Sequence, residues 1–156
     1  MEVAEVRGMR MLWLCLLLAP ASAFAFEGEV AGSEISLGGI AVGATTSEVT
    51  KILGKPLRQQ PQTDFIDLDY HYPNLRVSFS DGVVAGLYSD HRKGCTPMRL
   101  CPGDRLDKMR SLYGAPIVAN RETGQFYEYY ATDFDCWLEI AAEGEKIKSI
   151  AVACQP

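Results

Sequence analysis

The feature that most constrains the fold is a segment that occurs twice, 60 residues apart. Residues 43–56 read GATTSEVTKILGKP, and residues 103–116 read GDRLDKMRSLYGAP. In each copy apolar residues recur at helical spacing, and a glycine followed two residues later by a proline ends the segment. This pattern predicts one short amphipathic helix per copy. Thr45 and Glu48 form a capping box in the first copy, and Asp104 is expected to cap the second helix.

Alternating apolar and polar residues follow each helix after a polar loop and predict antiparallel strands. The predicted strands are Ile66–Tyr72, Leu75–Ser80 and Val83–Tyr88 in the first copy, and Gln125–Tyr130, Cys136–Ala141 and Lys146–Val152 in the second. Turn residues at Asp81–Gly82 and Glu143–Gly144 separate neighbouring strands. Short extra elements are expected at Ile35–Ile40 and Met98–Cys101.

These elements predict an α+β fold built as a tandem repeat. Each unit is expected to be a short helix packed on a three- or four-stranded antiparallel sheet, with the units spanning residues 26–90 and 91–156. A unit of this size buries little apolar surface on its own. The two sheets are therefore expected to pack together or to run together as one body.

The first 25 residues are typical of a secretory signal peptide. The apolar run Met11–Leu18 follows Arg7 and Arg10 and leads into the small-residue stretch ASAFA. This run is much shorter than the ~20 residues that a bilayer-spanning helix needs. We expect cleavage before Phe26, with cleavage after Ala23 as the alternative, and a periplasmic or secreted protein without a membrane span.

Four cysteines follow the signal peptide, at positions 95, 101, 136 and 154. An even number in an exported chain predicts two disulfides, and their spacing fits no common zinc site. Cys136 and Cys154 flank an expected hairpin, whereas Cys95 and Cys101 bound a short loop. We favour the pairs 95 with 101 and 136 with 154.

The charge balance excludes one class of partner. The chain carries 20 acidic and 15 basic residues, a formal net charge of −5. Nucleic-acid binders rely on clustered Lys and Arg, so a nucleic-acid partner is not expected. Charge is nevertheless polarised within the second copy, because residues 92–121 hold seven bases and two acids whereas residues 122–154 hold two bases and seven acids. This polarity is either an ordinary solvated surface or a device that orients a partner.

The first copy of the repeated helix resembles a known family. The pattern G-x-T-x-x-x-V-x-x-x-L-G-x-P, from Gly43 to Pro56, is similar to the opening helix of the SmpA/OmlA (BamE-type) outer-membrane assembly proteins. A disulfide-containing duplication of a helix-plus-sheet unit also resembles the β-lactamase inhibitor protein. Both resemblances imply binding of another protein without catalysis, although fold analogy alone gives only associational support.

Residues suited to catalysis are few. The chain has two histidines, and His91 is expected to be solvated in a polar linker. His71 lies in a predicted strand near Asp64, Asp67 and Asp69, which lack the spacing of a calcium loop. A hydrolase or small-ligand site made by these four residues remains the alternative function. We expect no enzyme, no metal and no cofactor.

One face of the predicted sheets carries the side chains of a binding surface. If Leu138 and Ile140 face the core, Trp137 and Glu139 point the other way, near Tyr130. The same reasoning turns Arg76 outward, with Tyr88 as a neighbour. Trp, Tyr and Arg dominate protein-binding hot spots, although these aromatics could instead be buried between the repeats.

The sequence therefore predicts a non-catalytic, exported protein-binding module. An enzyme inhibitor, an immunity-type antagonist of a toxin and an accessory factor of the cell envelope are its specific versions. The partner is expected to be another protein of unknown identity, contacted through Trp137, Tyr130, Arg76, Tyr88 and Glu139.

Overall fold

The structure is a computed structural model and describes residues 26–156. The predicted signal peptide lies outside the described residues. The elements are β1 Glu29–Val30, β2 Ser36–Leu37, β3 Ile40–Ala41, α1 Thr46–Leu53, β4 Arg58–Pro61, β5 Leu68–His71, β6 Arg76–Ser80, β7 Val83–Ser89, α2 Leu106–Tyr113, β8 Ile117–Arg121, β9 Gly124–Ala131, β10 Cys136–Glu143 and β11 Lys146–Cys154. A 3₁₀ turn spans Gly32–Glu34.

Nine of the strands form one mixed sheet. Its order is β1-β9-β10-β11-β7-β6-β5-β4, and β8 pairs with β9 on the same side as β1. All pairings are antiparallel except the two-residue pairing of β1 with β9. The predicted sheet size of three or four strands was wrong, because β11 pairs with β7 and this pairing extends one sheet across the chain.

The helix boundaries follow from local chemistry at their ends. The Thr45 hydroxyl accepts a hydrogen bond from the Glu48 backbone N–H at 3.2 Å, and the Glu48 carboxylate accepts one from the Thr45 backbone N–H at 2.7 Å. This is the predicted capping box. Each helix ends at a glycine with positive φ, Gly54 or Gly114, a conformation that other residues rarely adopt.

The second helix begins differently from the prediction. Its N-cap is Arg105, which makes no side-chain cap. Asp104 instead accepts hydrogen bonds from the Cys101 backbone N–H at 2.9 Å and from Lys108 Nζ at 2.7 Å. The carboxylate is one residue too early to cap the helix, so it closes the preceding loop.

Two segments predicted as loops are edge strands. Residues 58–61 and 117–121 follow the two helices and form β4 and β8, which border the sheet next to β5 and β9. Their side chains are mostly exposed, so neither segment shows a clear apolar alternation. Of the two extra elements expected ahead of the helices, Ile35–Ile40 contributes to the small β2–β3 sheet, whereas Met98–Cys101 is a loop.

Both helices contribute to one core on a single side of the large sheet. Val49 of α1 and Met109 of α2 are fully buried together with strand residues such as Leu138, Ile140 and Val77. Two tyrosines tie down the helix ends, because Tyr72, directly after β5, donates to the Gly54 carbonyl at 3.1 Å and Tyr129 of β9 donates to the Gly114 carbonyl at 2.8 Å. The opposite side of the sheet carries neither helix.

The structure contains two disulfides, Cys95–Cys101 and Cys136–Cys154. This is the pairing favoured from the sequence. Cys136 and Cys154 are directly opposite each other in the β10–β11 register, so the second bond staples two neighbouring strands. No helix among residues 26–156 has the length and apolar character to span a membrane.

Candidate functional site

The sheet face opposite the helices brings together the five residues proposed for partner binding. We call it the open face, defined by Arg76, Tyr88, Glu139, Tyr130 and Trp137. Backbone register explains the grouping: Arg76 is opposite Tyr88, Tyr88 is opposite Ala151, and Ala151 is opposite Glu139. Trp137 is opposite Tyr130 on the β9 side of β10. Residues from both halves of the chain therefore share one surface.

Two aromatic contacts order this surface. The Trp137 and Tyr130 rings stack with centroids 5.4 Å apart and an interplanar angle of 25°. The Arg76 guanidinium lies 5.0 Å from the centroid of the Tyr88 ring, at cation–π distance. These contacts restrict the rotamers of large side chains, so less side-chain entropy is lost when a partner binds.

Trp137 is half-buried on the open face and is not enclosed between the two halves of the chain. Its indole nitrogen is nevertheless buried and makes no hydrogen bond of standard geometry within the described residues. Buried donors nearly always have a partner. The Glu139 carboxylate is the candidate acceptor of the indole N–H, since burial raises the pKa of Glu139 and a hydrogen bond from the Trp137 side chain opposes that rise.

A shallow groove of about 330 Å³ crosses the centre of the open face. Its floor consists of small residues on neighbouring strands, Gly86, Ala151 and Ala153, and Arg76 and Glu139 border it. The small floor residues leave space between larger side chains on either side. A protruding side chain or a chain segment of a partner fits a groove of this form.

Sequence reasoning missed an ionic cluster beside the groove. Arg121 of β8 forms ion pairs with Glu128 of β9 and, at 3.7 Å, with Glu139 of β10. The two glutamates are opposite each other in the sheet, where like charges repel, and Arg121 offsets that repulsion. The Glu128 side chain is only 2% exposed. The only signal in the sequence was that two glutamates predicted to face each other on neighbouring strands would need a cation nearby.

Burial controls the ionisation of this cluster. Burial raises the pKa of Glu139, Arg121 opposes that rise, and the charge of Glu128 adds to it. Tyr130 donates to Glu128 at 2.6 Å, and burial together with this hydrogen bond raises the pKa of Tyr130 to about 12. Tyr130 therefore remains a neutral hydrogen-bond donor at physiological pH.

The residues of the alternative, hydrolytic site lie near the open face: Asp64 and Asp69 line one shallow cavity with Arg76, and His71 follows Asp69 by two residues on β5. Asp69 is buried and accepts hydrogen bonds from Ser78 Oγ at 2.6 Å and Gln62 Nε2 at 2.8 Å. Asp67 instead accepts from the Asp81 backbone N–H in the β6–β7 turn. Each of these carboxylates is occupied by a different structural contact.

The His71 side chain is also engaged in a hydrogen bond. Arg58 Nη2 donates to His71 Nε2 at 3.1 Å, which requires a neutral imidazole. Burial is the first cause that lowers the pKa of His71, and the neighbouring Arg58 lowers it further. Among residues 26–156, no group of three or more His, Cys, Asp or Glu side chains is arranged to hold a metal ion.

The sequence matches no protein-family model and no curated protein. Solved structures are similar in fold. One is an extracellular protein containing an SCP domain from Bacillus anthracis, with a TM-score of 0.53 at 10% identity. Another is a cysteine-rich secretory protein from Staphylococcus aureus, with a TM-score of 0.55 at 13% identity. Each alignment covers 73% of this chain and 44% or 43% of the other, so this chain matches less than half the length of these proteins.

A third solved structure with this likeness is a DUF4309 family protein from Bacillus subtilis. Its TM-score is 0.50 at 15% identity, over 75% of this chain and 83% of the other. At these identities the likeness concerns the fold alone. The resemblance to the BamE-type assembly proteins and to the β-lactamase inhibitor protein was wrong, because the structural neighbours are of other kinds. The motif that suggested it encodes little more than a capped helix and its stop.

Proposed function

We propose that this chain is an exported, non-catalytic module that binds another protein through the open face. The observation that carries the proposal is the register that aligns Arg76, Tyr88 and Glu139 across four neighbouring strands, with the stacked Trp137–Tyr130 pair beside them. Aromatic and Arg side chains fixed on a rigid surface are the typical anchors of protein interfaces.

Two further features support export and a binding role. The disulfides are typical of an oxidising compartment, and two of the similar solved structures are described as extracellular or secretory proteins. The Cys136–Cys154 bond also joins the strands that carry Trp137 and Ala151, which stiffens the open face. An inhibitor, an antagonist of a toxin or an envelope accessory factor each requires such a surface and no catalytic group.

We also infer that residues 26–90 and 91–156 are diverged copies of one unit. The order of one helix followed by four strands occurs in both halves, and α1 and α2 begin 60 residues apart. The last strands of the two halves, β7 and β11, pair with each other, and β1 of the first half pairs with β9 of the second. Duplication would thus provide one binding surface wider than either unit supplies.

Capture from an extract of the exported proteins of the producing organism tests the function. Arg76→Glu inverts an exposed charge on the open face, and Lys51→Glu makes the same change on α1, on the other side of the sheet. We expect the wild type and Lys51→Glu to retain the same protein in stoichiometric amount, and Arg76→Glu to bind it at least about tenfold more weakly. Equal retention by all three would refute the role of the open face.

The hydrolase alternative has its own test in the same material. A His71→Ala variant that loses a turnover activity, in a protein that retains no stable partner, would favour the alternative. We expect His71→Ala to leave any partner binding through Trp137 intact. The occupied hydrogen bonds of His71 and Asp69 argue for that result.

A further inference from the structure

A second concave surface, separate from the open face, has the opposite character. It is a cleft of about 590 Å³ lined by residues of the β2–β3 hairpin and of segment 92–101, and it shares no lining residue with the groove of the open face. Three basic side chains line it: Arg92, Lys93 and Arg99. No acidic residue among residues 26–156 lines it. We call this surface the basic cleft.

No carboxylate of the described residues neutralises the cations of the basic cleft. Elsewhere in segment 92–121, Arg105, Lys108 and Arg121 form ion pairs with nearby carboxylates. None of the three cations of the cleft forms an ion pair within residues 26–156. Three neighbouring like charges repel one another, and in a chain with a net charge of −5 their concentration at one cleft is unusual.

Two loops with ordered backbones carry these cations. Arg92 and Lys93 lie in a turn closed by the hydrogen bond from the Gly94 N–H to the His91 carbonyl at 2.8 Å. Gly94 cannot be replaced freely, since a Cβ there would overlap the Ser89 side chain. The backbone of this turn is therefore held next to the disulfide loop that carries Arg99, and the side chains of Arg92 and Lys93 extend from it into solvent.

Arg99 has a backbone conformation that disfavours its own residue type. Its φ is +66°, a left-handed value that glycine and asparagine adopt more readily than arginine. The Cys95–Cys101 bond closes the loop around it, Arg99 N donates to the Thr96 carbonyl at 2.9 Å, and Lys108 Nζ donates to the Arg99 carbonyl at 2.7 Å. A strained arginine held by so many contacts is an observation from which a function can be inferred.

We propose that the basic cleft binds a phosphate group. Two guanidinium forks and one ammonium supply the charge-assisted donors that a phosphate dianion accepts, and guanidinium matches the planar pairs of phosphate oxygens. The volume of the cleft exceeds that of a single phosphate and accommodates the group to which the phosphate is attached. The ligand is either a soluble phosphate ester or an anionic phospholipid headgroup, which share this chemistry.

The test titrates the oxidised protein with inorganic pyrophosphate by calorimetry at fixed ionic strength, and separately sediments it with phosphatidylglycerol vesicles. Arg92→Gln and Arg99→Asn remove one cation each, and asparagine suits the left-handed backbone at position 99. Arg105→Gln is the matched control, because Arg105 is exposed and outside the cleft. We expect saturable binding of at least one probe, weakened roughly tenfold or more by each cleft variant and unchanged in the control.

The two probes distinguish the sources of the phosphate. Binding of pyrophosphate alone assigns a soluble ester, and binding of vesicles alone assigns a lipid headgroup. Chemical-shift changes at the Arg92 and Arg99 side chains of the wild-type protein give a readout that does not depend on any variant folding. Absence of saturable binding to both probes, or equal loss in Arg105→Gln, would overturn the proposal.

Discussion

Replacing Arg121 with Gln tests how the ionic cluster stabilises the open face. Arg121 pairs with Glu128, whose side chain is 2% exposed, and with Glu139 at 3.7 Å. The variant leaves two facing carboxylates without their cation. Breaking a fully buried ion pair costs about 3–5 kcal/mol, but the Arg121 side chain is 42% exposed and water replaces part of the lost interaction. We therefore expect a loss of about 1–3 kcal/mol at neutral pH.

The pH dependence of this loss gives the sharper prediction. Burial raises the pKa of Glu139 and Arg121 opposes that rise, so the variant should raise it further. A carboxyl group whose folded pKa exceeds its unfolded value costs stability once it is ionised, and this cost disappears as the pH falls through the folded pKa. The deficit of the variant should be largest near pH 7 and should shrink towards about pH 4.5.

Thermal unfolding followed by circular dichroism measures both effects. The melting midpoint of Arg121→Gln should fall by roughly 5–10 °C at pH 7. Arg105→Gln removes a partner from an ion pair whose side chains are 59% and 70% exposed, and we expect no measurable change. The reasoning is refuted by an Arg121→Gln deficit that is equal at both pH values, or by a variant as stable as the wild type at pH 7.

The remaining predictions concern the disulfides, the helix N-caps and the turn at Gly94. Replacing Cys136 and Cys154 together by Ser opens a 19-residue loop and should cost on the order of 3 kcal/mol of stability. The same change at Cys95 and Cys101 opens a shorter loop and should cost about 2 kcal/mol. Denaturant unfolding of each double variant measures the two losses, and a larger loss at the shorter loop would contradict this order. Thr45→Ala should destabilise the protein by about 1 kcal/mol through the capping box, whereas Arg105→Ala, at the N-cap of α2 where no side chain caps, should leave the denaturant midpoint unchanged. Gly94→Ala should cost about 1–3 kcal/mol because its Cβ meets Ser89 Oγ, and an unchanged melting midpoint would show that the turn adapts.

Features encoded by neighbouring residues were predictable from the sequence. The capping box of Thr45 and Glu48 and the glycine ends of both helices depend on residues a few positions apart. Alternation in residues 136–141 indicated which side of β10 carries Trp137. The disulfide pairing followed from a predicted hairpin that places Cys136 opposite Cys154.

Features that depend on distant contacts were not predictable in this way. The pairing of β7 with β11 and the parallel pairing of β1 with β9 join segments whose local patterns contain no information about each other. Strands β4 and β8 were missed because edge strands gain backbone hydrogen bonds without burying alternate side chains. The role of Arg121 was missed for the same reason, because β8 was assigned to a loop and nothing then placed Arg121 beside Glu128.

Site-specific photo-crosslinking tests the central claim most directly, because it reports which side of the sheet a partner touches. A photoreactive phenylalanine analogue replaces either Tyr88 on the open face or Lys51 on α1, and each protein is irradiated in the extract of exported proteins. The proposed function predicts one crosslinked species of defined mass from position 88 and none from position 51. A crosslink from position 51 without one from position 88 would contradict the assignment of the open face as the binding surface.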